Sequence, residues 1–354
     1  MTLRGGVRPA GGCLTDVAGI AVGHHARSGR GWRTGSTVVM LPPDSVVGVD
    51  VRGGGPGTRE TDLLHPAATI TTAHAICLTG GSAYGLAAAD GVMEVLERRG
   101  IGFPVGQPGQ AGHGVVPLVP AAVIFDLGRG GVFANRPDRT FGSRASSAAR
   151  RVPMAQGAVG AGTGARAGGV QGGVGAASTT VAAAGGSTVV VAALAVVNAA
   201  GSPIDLGTGL PWMPGSDRLR RPSAGDRERL RRHVAATVPP LNTTIGVVAT
   251  SARLSKAECG RLATVAHDGL ARAVRPVHSL FDGDTIFAAA TGEHELVEAD
   301  ALTPGGRVRL LNRILTAAAD CFATACTNAV VRADGDGSYR QLCPSAFPVA
   351  RSSR

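Results

Sequence analysis

Aromatic residues are scarce in this sequence: Phe, Trp and Tyr together make up 3% of its 354 residues. Proteins that bind single-stranded nucleic acid need aromatic rings on which bases stack, so this scarcity argues against such a function despite a net charge of +10. The charge is also concentrated, since residues 217–233 carry seven arginines against three acids. That segment predicts an exposed helix or a mobile tail, and we expect no nucleic-acid partner.

Long apolar runs and metal-binding motifs are missing as well. No stretch approaches twenty apolar residues, and residues 1–16 lack the apolar centre of a signal peptide. We therefore expect no membrane contact and a cytoplasmic location. The six cysteines form no CxxC pair, and Cys321 and Cys326 stand five apart on a predicted helix. No HExxH motif is present and the pair His24-His25 has no further ligand nearby, so we expect buried free thiols, no metal and no cofactor.

Two glycine-rich turns are similar to known motifs without matching them. Residues 52–61 have neither the P-loop spacing nor a GxGxxG sequence before a helix, which argues against a nucleotide. In GGSAYG, Ser82 stands between a predicted strand and helix, but Tyr84 takes the place where a GxSxG elbow requires glycine. Ser82 is better explained as the helix N-cap, and it remains the alternative nucleophile.

The remaining pattern alternates between β-branched apolar runs and segments of helical periodicity. It predicts two or three short strands within residues 13–51, strands at 69–79, 115–128, 189–197, 243–250 and 284–290, and helices at 83–98, 255–273 and 303–327. Residues 155–178 have the composition of a Gly/Ala linker, but a strand follows shortly after, and we expect them to be part of the fold. Alternating strands and helices fit a layered sandwich.

Thr243 stands at the head of the buried strand predicted at 243–250. A threonine hydroxyl is a weak nucleophile until a base lies beside it, and the nearest base is its own α-amine if the Asn242–Thr243 bond is cut. With a pKa of about 7.7–8.0, roughly a tenth of such amines are neutral at pH 7. By spacing alone, an Asn-Thr pair is typical of a turn followed by a good strand former.

A resemblance to a known family favours the catalytic interpretation. The segments NTTIGVVATSARLSKAE, from residue 242, and SLFDGDTIFAAATG, from residue 279, resemble the β-chain start of the L-aminopeptidase/D-esterase family. This family includes β-aminopeptidases and endo-acting nylon-oligomer hydrolases. RGGGPGTRETDLL, LTGGSAYGLAAADGVM and VPLVPAAVIFDLG resemble its other signature segments in the same order. The resemblance implies an α/β, αββα-like sandwich, shared with ornithine acetyltransferases, in which residues 1–354 form one hydrolase domain.

The same resemblance implies roles for individual residues. Thr243 would be the nucleophile of a precursor that cleaves itself after Asn242, giving chains 1–242 and 243–354. Asn198 matches the residue credited with stabilising the oxyanion, and Asp282 and Asp284 match paired acids that assist self-cleavage and position the amine. From the residues alone, Asn198 opens a turn and the Asp-Gly-Asp sequence is typical of a hairpin. The family also implies small amide, peptide or oligoamide substrates and a homo-oligomer, a tetramer of αβ units.

Two departures from the family pattern bear on activity. Some members have a catalytic lysine in the glycine-rich stretch, where this sequence has Gly169 and Gln171, and some have a tyrosine in place of Phe125. Glutamine can donate a hydrogen bond but cannot act as a base. Two alternatives to a hydrolase therefore stay open: a catalytically impaired relative that serves as a binding or structural protein, and an acyltransferase.

Overall fold

The computed structural model describes residues 11–183, 187–237, 242–296 and 306–348 of the chain. Within these residues the strands are β1 (Ala21–Gly29), β2 (Trp32–Met40), β3 (Val46–Val51), β4 (Thr58–Arg59), β5 (Ala75–Thr79), β6 (Phe103–Val105), β7 (Gly114–Val116), β8 (Ala121–Val123), β9 (Arg166–Ala167), β10 (Val170–Gln171), β11 (Gly173–Ala182), β12 (Thr188–Val197), β13 (Ile204–Asp205), β14 (Leu210–Pro211), β15 (Ile245–Ala252) and β16 (Thr285–His294). The α-helices are α1 (Ala88–Glu97), α2 (Arg139–Ser147), α3 (Ala224–Ala235), α4 (Lys256–Ala273), α5 (Gly306–Val331) and α6 (Tyr339–Leu342).

Two five-stranded sheets form the centre of the protein. The first has the strand order β1-β2-β5-β8-β4 and the second the order β11-β12-β15-β16-β3. Neighbouring strands run antiparallel except for β5 with β8 and β15 with β16, which are parallel. Parallel neighbours need a crossover connection, and α1 and α4 lie in the two segments that supply it.

Successive side chains of the central strands point to opposite faces of their sheet, and together they form three apolar layers. On β15, Ile245, Val247 and Ala249 pack between the two sheets, whereas Val248 belongs to the layer under α4 and α5. On β2, Val38 belongs to the third layer, under α1 and α2. This period of two is the geometry of a strand that is buried on both faces. The predicted αββα sandwich is therefore confirmed.

Helices cover the outer face of each sheet. Helices α1 and α2 pack on the first sheet, and α4 and α5 pack on the second. A Cβ atom at Gly175 of β11 would lie 2.0 Å from the carbonyl oxygen of Ala325, so only glycine lets α5 pack this closely. By length and composition α5 could cross a membrane, but 83% of its most apolar 18-residue window is buried inside the protein. Packing on the sheet accounts for its apolar sequence.

Two predicted strands are shorter than expected. The strand predicted at 69–79 begins only at Ala75, and within the one predicted at 115–128 only β8 belongs to the first sheet. Pro117 and Pro120 interrupt the second prediction, because proline has no N–H to donate to a strand ladder. The residues before Pro117 instead form β7, which pairs with β6.

Other predicted elements agree with the structure. The region 13–51 contains three strands, and the helix predicted at 255–273 is α4. The helix predicted at 303–327 is α5, although residues 303–305 lie outside the described part of the chain. All six cysteines are free and buried, as expected.

Two segments of ambiguous composition are folded. The glycine-rich residues 155–178 include β9, β10 and the start of β11, and they are largely buried, which confirms that they are not a linker. The arginine-rich segment contains α3, where the Ser223 hydroxyl accepts a hydrogen bond from the Asp226 N–H at 3.1 Å and caps the helix. Leu230 of α3 is completely buried and holds the helix on the protein.

Candidate functional site

The sheet topology brings the four predicted site residues to one end of the second sheet. Because β12 and β15 are antiparallel, Asn198, just after β12, lies beside Thr243, just before β15. Because β15 and β16 are parallel, Asp282 and Asp284, just before β16, lie at the same end. All four side chains are buried. The structure therefore places together residues that are up to 86 positions apart in sequence, from 198 to 284.

Thr243 is held at both its nitrogen and its hydroxyl. Its backbone N–H donates to the carbonyl oxygen of Asn198 at 2.6 Å. Its hydroxyl lies 2.5 Å from the carbonyl oxygen of Asn242 and accepts a hydrogen bond from the Gly283 N–H at 3.1 Å. The hydroxyl is thus fixed against the peptide bond that self-cleavage would break.

The two acids hold the backbone around Thr243. Asp284 accepts from the Thr244 N–H at 2.7 Å with Oδ1, and its Oδ2 lies 2.8 Å from Nδ1 of His278. Asp282 accepts from the Ser279 N–H at 3.0 Å. The second oxygen of Asp282 accepts a longer bond, 3.4 Å, from the N–H of residue 200, next to the strand end at 197. Both carboxylates therefore accept hydrogen bonds from backbone N–H groups near Thr243. The N–H of Thr243 itself donates to the carbonyl of Asn198 and not to either acid.

The side-chain amide of Asn198 has a defined orientation. Its Oδ1 accepts hydrogen bonds from the Arg129 guanidinium and from the Arg166 N–H, the latter at 3.0 Å. Its Nδ2 donates to the Phe125 carbonyl at 3.3 Å. Since two donors meet Oδ1, the NH₂ group is the end of the amide that can serve a developing oxyanion.

Arg129 is a residue of the site that the sequence reasoning missed. Its guanidinium also donates to the Gly164 carbonyl at 2.7 Å and to Oδ1 of Asn242 at 3.4 Å. Burial lowers the pKa of Arg129 to about 10, against the opposing effect of Asp126, so the group stays charged at pH 7. The sequence signal was a lone arginine in the glycine-rich turn that follows β8.

His278 is a second residue that was missed. It has a left-handed backbone conformation, φ 55°, and its ring contacts that of His267 with centroids 4.9 Å apart. Burial lowers the pKa of His267 to about 4. The pair His267–His278 therefore links helix α4 to the carboxylate of Asp284, and a histidine three residues before FDGDT is the signal in the sequence.

The two positions of the missing family lysine have different surroundings. Gln171 is buried, accepts from Arg33 with Oε1, and donates to the carbonyls of Ala165 and Gly172 at 2.9 and 3.0 Å. Its hydrogen-bonding capacity is used inside the protein. Gly169 instead lines a cavity that also contains Asn242, and a Cβ atom at 169 would lie 3.3 Å from the Cα atom of Val234.

Ser82 is not the helix cap that we predicted. The helical turn Ser82–Ala87 is a 3₁₀-helix that precedes α1, and its cap residue is Gly81, with φ 86°. Ser82 itself has φ 53° and its N–H donates to the Ile124 carbonyl at 2.9 Å. A capping residue needs extended backbone, which two successive left-handed residues do not provide. Ser82 instead lines the cavity that contains Thr243.

The adjacent histidines point to different surroundings, as alternation along β1 requires. Nδ1 of His24 lies 2.9 Å from the Thr37 hydroxyl, and burial lowers the pKa of His24 to about 4. His25 packs edge-on against Phe141, with ring centroids 4.9 Å apart. The described part of the chain contains no cluster of three metal-ligating side chains.

Two cavities of about 260 Å³ each flank Asn242. One is lined by Arg166, Gly169 and Arg275, among others. The other contains Thr243, and its walls include Phe125, Ser82, Leu280 and Phe281. Asn242 thus lies between a cavity that contains two arginines and a cavity that contains Thr243.

The fold is similar to that of solved aminopeptidase structures. The structure is similar to a β-aminopeptidase from Burkholderia sp., with a TM-score of 0.67 and 27% identity, covering 96% of this chain and 95% of that one. It is also similar to an L-aminopeptidase D-Ala-esterase/amidase from Ochrobactrum anthropi described as a variant of the Ntn hydrolase fold, with a TM-score of 0.69, 20% identity, and coverage of 98% and 93%.

Sequence comparison identifies the family. The profile of Peptidase family S58 matches residues 12–340. An uncharacterized aminopeptidase of Mycobacterium tuberculosis is 49% identical over 355 residues, covering 94% of this chain and 98% of that protein. A 6-aminohexanoate-oligomer endohydrolase of Kocuria sp. is 32% identical over 315 residues, covering 82% and 77%. The chain belongs to Peptidase family S58, and it is an amidohydrolase.

Proposed function

We propose that Thr243 is the nucleophile of a self-processing hydrolase and that the chain cleaves itself between Asn242 and Thr243. The observation that carries this proposal is the hydroxyl of Thr243, which lies 2.5 Å from the carbonyl oxygen of Asn242 while the Gly283 N–H holds it in place at 3.1 Å. These contacts hold the hydroxyl beside the carbonyl group that it would attack, and such positioning lowers the barrier to reaction.

Self-cleavage proceeds through an ester. Oγ1 of Thr243 attacks the carbonyl carbon of Asn242, the C–N bond breaks, and the nitrogen takes up the hydroxyl proton. Water then hydrolyses the ester, which leaves a carboxylate on Asn242 and a free amine on Thr243. The chains produced are 1–242 and 243–354.

The liberated amine then serves as the base for substrate turnover. It accepts the proton of Oγ1 as the oxygen attacks the substrate amide, and returns it to the leaving amine. The carbonyl of Asn198, 2.6 Å from the Thr243 nitrogen in the uncut chain, keeps that nitrogen oriented. Nδ2 of Asn198 stabilises the oxyanion, and a missing donor of this kind typically costs about 10²–10³ in rate.

Small amides, short peptides and oligoamides are the proposed substrates. The relatives' names support this range, since one is an aminopeptidase and another an oligomer endohydrolase. The cavities beside Asn242, about 260 Å³ each, match small molecules better than folded proteins. A tetramer of αβ units and a cytoplasmic location remain predictions.

Denaturing gels and N-terminal sequencing of purified protein test the proposal. Two bands that correspond to 1–242 and 243–354, with Thr-Thr-Ile-Gly as the second N-terminus, are expected. Thr243→Ala should stay intact and inactive, whereas Thr243→Ser should be processed. Thr316→Ala, which removes an exposed hydroxyl on α5, is the matched control and should behave as wild type. An intact wild-type chain after long incubation would contradict the proposal.

A further inference from the structure

Ser82 brings a polar side chain to a largely apolar wall of the cavity that contains Thr243. Among the described residues that line this cavity, the others with polar side chains are Asn242 and Thr243, the pair on either side of the bond to be cut. The remaining residues are glycines, proline, alanine and larger apolar residues. In such a pocket a few placed polar groups fix the orientation of the substrate. Apart from the scissile pair, Ser82 is therefore the described lining residue whose side chain can form a hydrogen bond.

The hydroxyl of Ser82 is available for such a bond. It makes no hydrogen bond within the described part of the chain, where the backbone N–H of Ser82 donates to the Ile124 carbonyl at 2.9 Å. The hydroxyl oxygen is also not one of the buried side-chain atoms that lack a partner, so solvent reaches it. A serine hydroxyl can donate one hydrogen bond and accept two. A substrate in the cavity would give this group the partner that the protein does not provide.

The backbone holds Ser82 in a conformation that serine rarely adopts. Its φ is 53°, in the left-handed region, and Gly81 before it has φ 86°. Residues other than glycine are disfavoured there, and those that are kept in such a conformation cluster at functional sites. A glycine at position 82 would avoid the strain. The serine therefore costs stability at this position, and its hydroxymethyl group is what a glycine would lack.

The turn that contains Ser82 is anchored to the same segment as the side chain of Asn198. The Gly81 N–H donates to Oδ1 of Asp126 at 2.7 Å, and the Ser82 N–H donates to the carbonyl of Ile124. The carbonyl of the residue between these two acceptors meets Nδ2 of Asn198 at 3.3 Å. Three consecutive residues thus fix both the serine turn and the amide that the proposed mechanism uses for the oxyanion. A group held in this way is positioned before the substrate arrives.

The amide that Thr243 attacks needs donors for its carbonyl oxygen. As Oγ1 bonds to the carbonyl carbon, the π electrons of the C=O bond move to the oxygen, which becomes an oxyanion. Nδ2 of Asn198 is one donor in the proposed mechanism, and each donor of this kind typically contributes about 10²–10³ in rate. Phe125 lines the cavity as well, but its ring has no N–H or O–H to donate. A second side-chain donor on this wall would therefore have to come from Ser82.

We infer that Ser82 is a further catalytic residue, whose hydroxyl donates a hydrogen bond to the carbonyl oxygen of the substrate amide as Thr243 attacks. Ser82 keeps its proton throughout and forms no covalent bond, so its role differs from that of a nucleophile. The inference rests on the proposed function, because it assumes that the attacking atom is Oγ1 of Thr243.

Ser82→Ala and Ser82→Gly together test the inference on the full-length protein. Both remove the hydroxyl, but glycine adopts the left-handed backbone without strain, so the second variant controls for effects on folding. We expect kcat to fall by about 10²-fold in both, with KM nearly unchanged, measured per processed chain with L-alanyl- and 3-aminopropanoyl-p-nitroanilide. Ser147→Ala, at an exposed position of α2, is the matched control and should hydrolyse both amides as the wild type does.

Phe125→Tyr in the Ser82→Ala background is the second test. A phenol on the wall of the same cavity would restore a donor that the Ser82→Ala variant lacks. The increase in kcat should therefore exceed the roughly tenfold increase expected when the same phenol is added to the wild type, where the serine already donates. Two substitutions depart from additivity in this way when they act on a shared partner. An equal increase in the two backgrounds would show that Ser82 does not act on the oxyanion.

Each remaining outcome contradicts a different statement. A wild-type kcat in either Ser82 variant, or a loss confined to KM, would overturn the inference alone, because processing and turnover by Thr243 would stand. An inactive Ser82→Ala protein beside an active Thr243→Ala protein would make Ser82 the nucleophile and overturn both proposals. A wild-type chain that is never cut, or that is cut and hydrolyses neither amide, would overturn the proposed function and the inference with it.

Discussion

The carboxylate of Asp284 accepts a hydrogen bond from the backbone N–H of Thr244, and the two atoms are 2.7 Å apart. The other oxygen of the carboxylate contacts His278 at Nδ1, 2.8 Å away, and at its N–H, 3.3 Å away. Asp284 therefore joins the residue after the proposed nucleophile to the loop before β16. We predict that Asp284 positions Thr243, because its carboxylate holds the backbone of the next residue.

Asp284→Asn should impair self-cleavage. An asparagine keeps one acceptor for the Thr244 N–H, but its NH₂ group would face the His278 N–H, donor against donor. Losing a charge-assisted bond and leaving a buried donor unpaired costs about 2 kcal/mol. We expect cleavage to slow by about tenfold or more, measured as the fraction of intact chain on gels over time.

Asp90→Asn is the control for this variant. Asp90 pairs with Arg59 and its side chain is 51% exposed, and exposed ion pairs contribute little to stability. Processing in this variant should match wild type. If Asp284→Asn were processed at the wild-type rate, the carboxylate would have no positioning role.

Much of the fold could be predicted because the second sheet is buried on both faces. Strands such as β15 and β16 are continuous apolar runs, and burial on both faces requires that sequence. The first sheet was harder to predict, since Pro117 and Pro120 break an apolar run that otherwise has the composition of a strand. The apolar content of that run predicts a strand, but it takes no account of the backbone N–H groups that the two prolines lack.

The site could be predicted only in part. Thr243, Asn198, Asp282 and Asp284 lie in motifs that resemble those of a family, and the structure brings them together. Arg129 was missed because its function depends on three acceptors from distant segments, a relationship that no local pattern contains. The orientation of the Asn198 amide likewise depends on donors that meet only in the folded chain.

Arg129→Lys should lower activity even though it keeps the charge. A lysine is a single point of positive charge, whereas the planar guanidinium reaches the carbonyl of Gly164 and the amide oxygens of Asn198 and Asn242 at once. We expect self-cleavage and turnover to fall by about tenfold, measured as rates per folded protein. Arg139→Lys, on the surface beside Glu94, should change neither. Wild-type rates for Arg129→Lys would mean that positive charge alone suffices.

Phe125→Tyr should raise turnover. Phe125 lines the cavity that contains Thr243, and the family resemblance puts a tyrosine at this position in some members. A hydroxyl donor beside a developing oxyanion acts mainly in the transition state. We expect kcat to rise roughly tenfold with KM nearly unchanged, measured with a p-nitroanilide substrate. Phe133→Tyr, on an exposed phenylalanine, is the control, and an unchanged kcat for Phe125→Tyr would contradict the prediction.

His267 should make the protein sensitive to mild acid. Burial lowers its pKa from 6.5 to about 4 in the folded protein, so that below pH 6.5 the unfolded chain binds the proton more readily. Stability is therefore fully present above pH 6.5 and is lost as the pH falls toward 4. Between pH 7.5 and pH 5 the loss from this one residue amounts to about 2 kcal/mol.

Urea unfolding of wild type and His267→Gln at those two pH values measures this contribution. Glutamine can still donate to the Asp50 carbonyl, which His267 contacts through Nε2 at 3.1 Å, but it does not titrate. The variant should be less stable than wild type at pH 7.5 because its shape fits the site less well, and it should lose about 2 kcal/mol less than wild type on going to pH 5. Equal losses in the two proteins would show that His267 is not the group that titrates. A variant of His65, an exposed histidine, should lose as much as wild type.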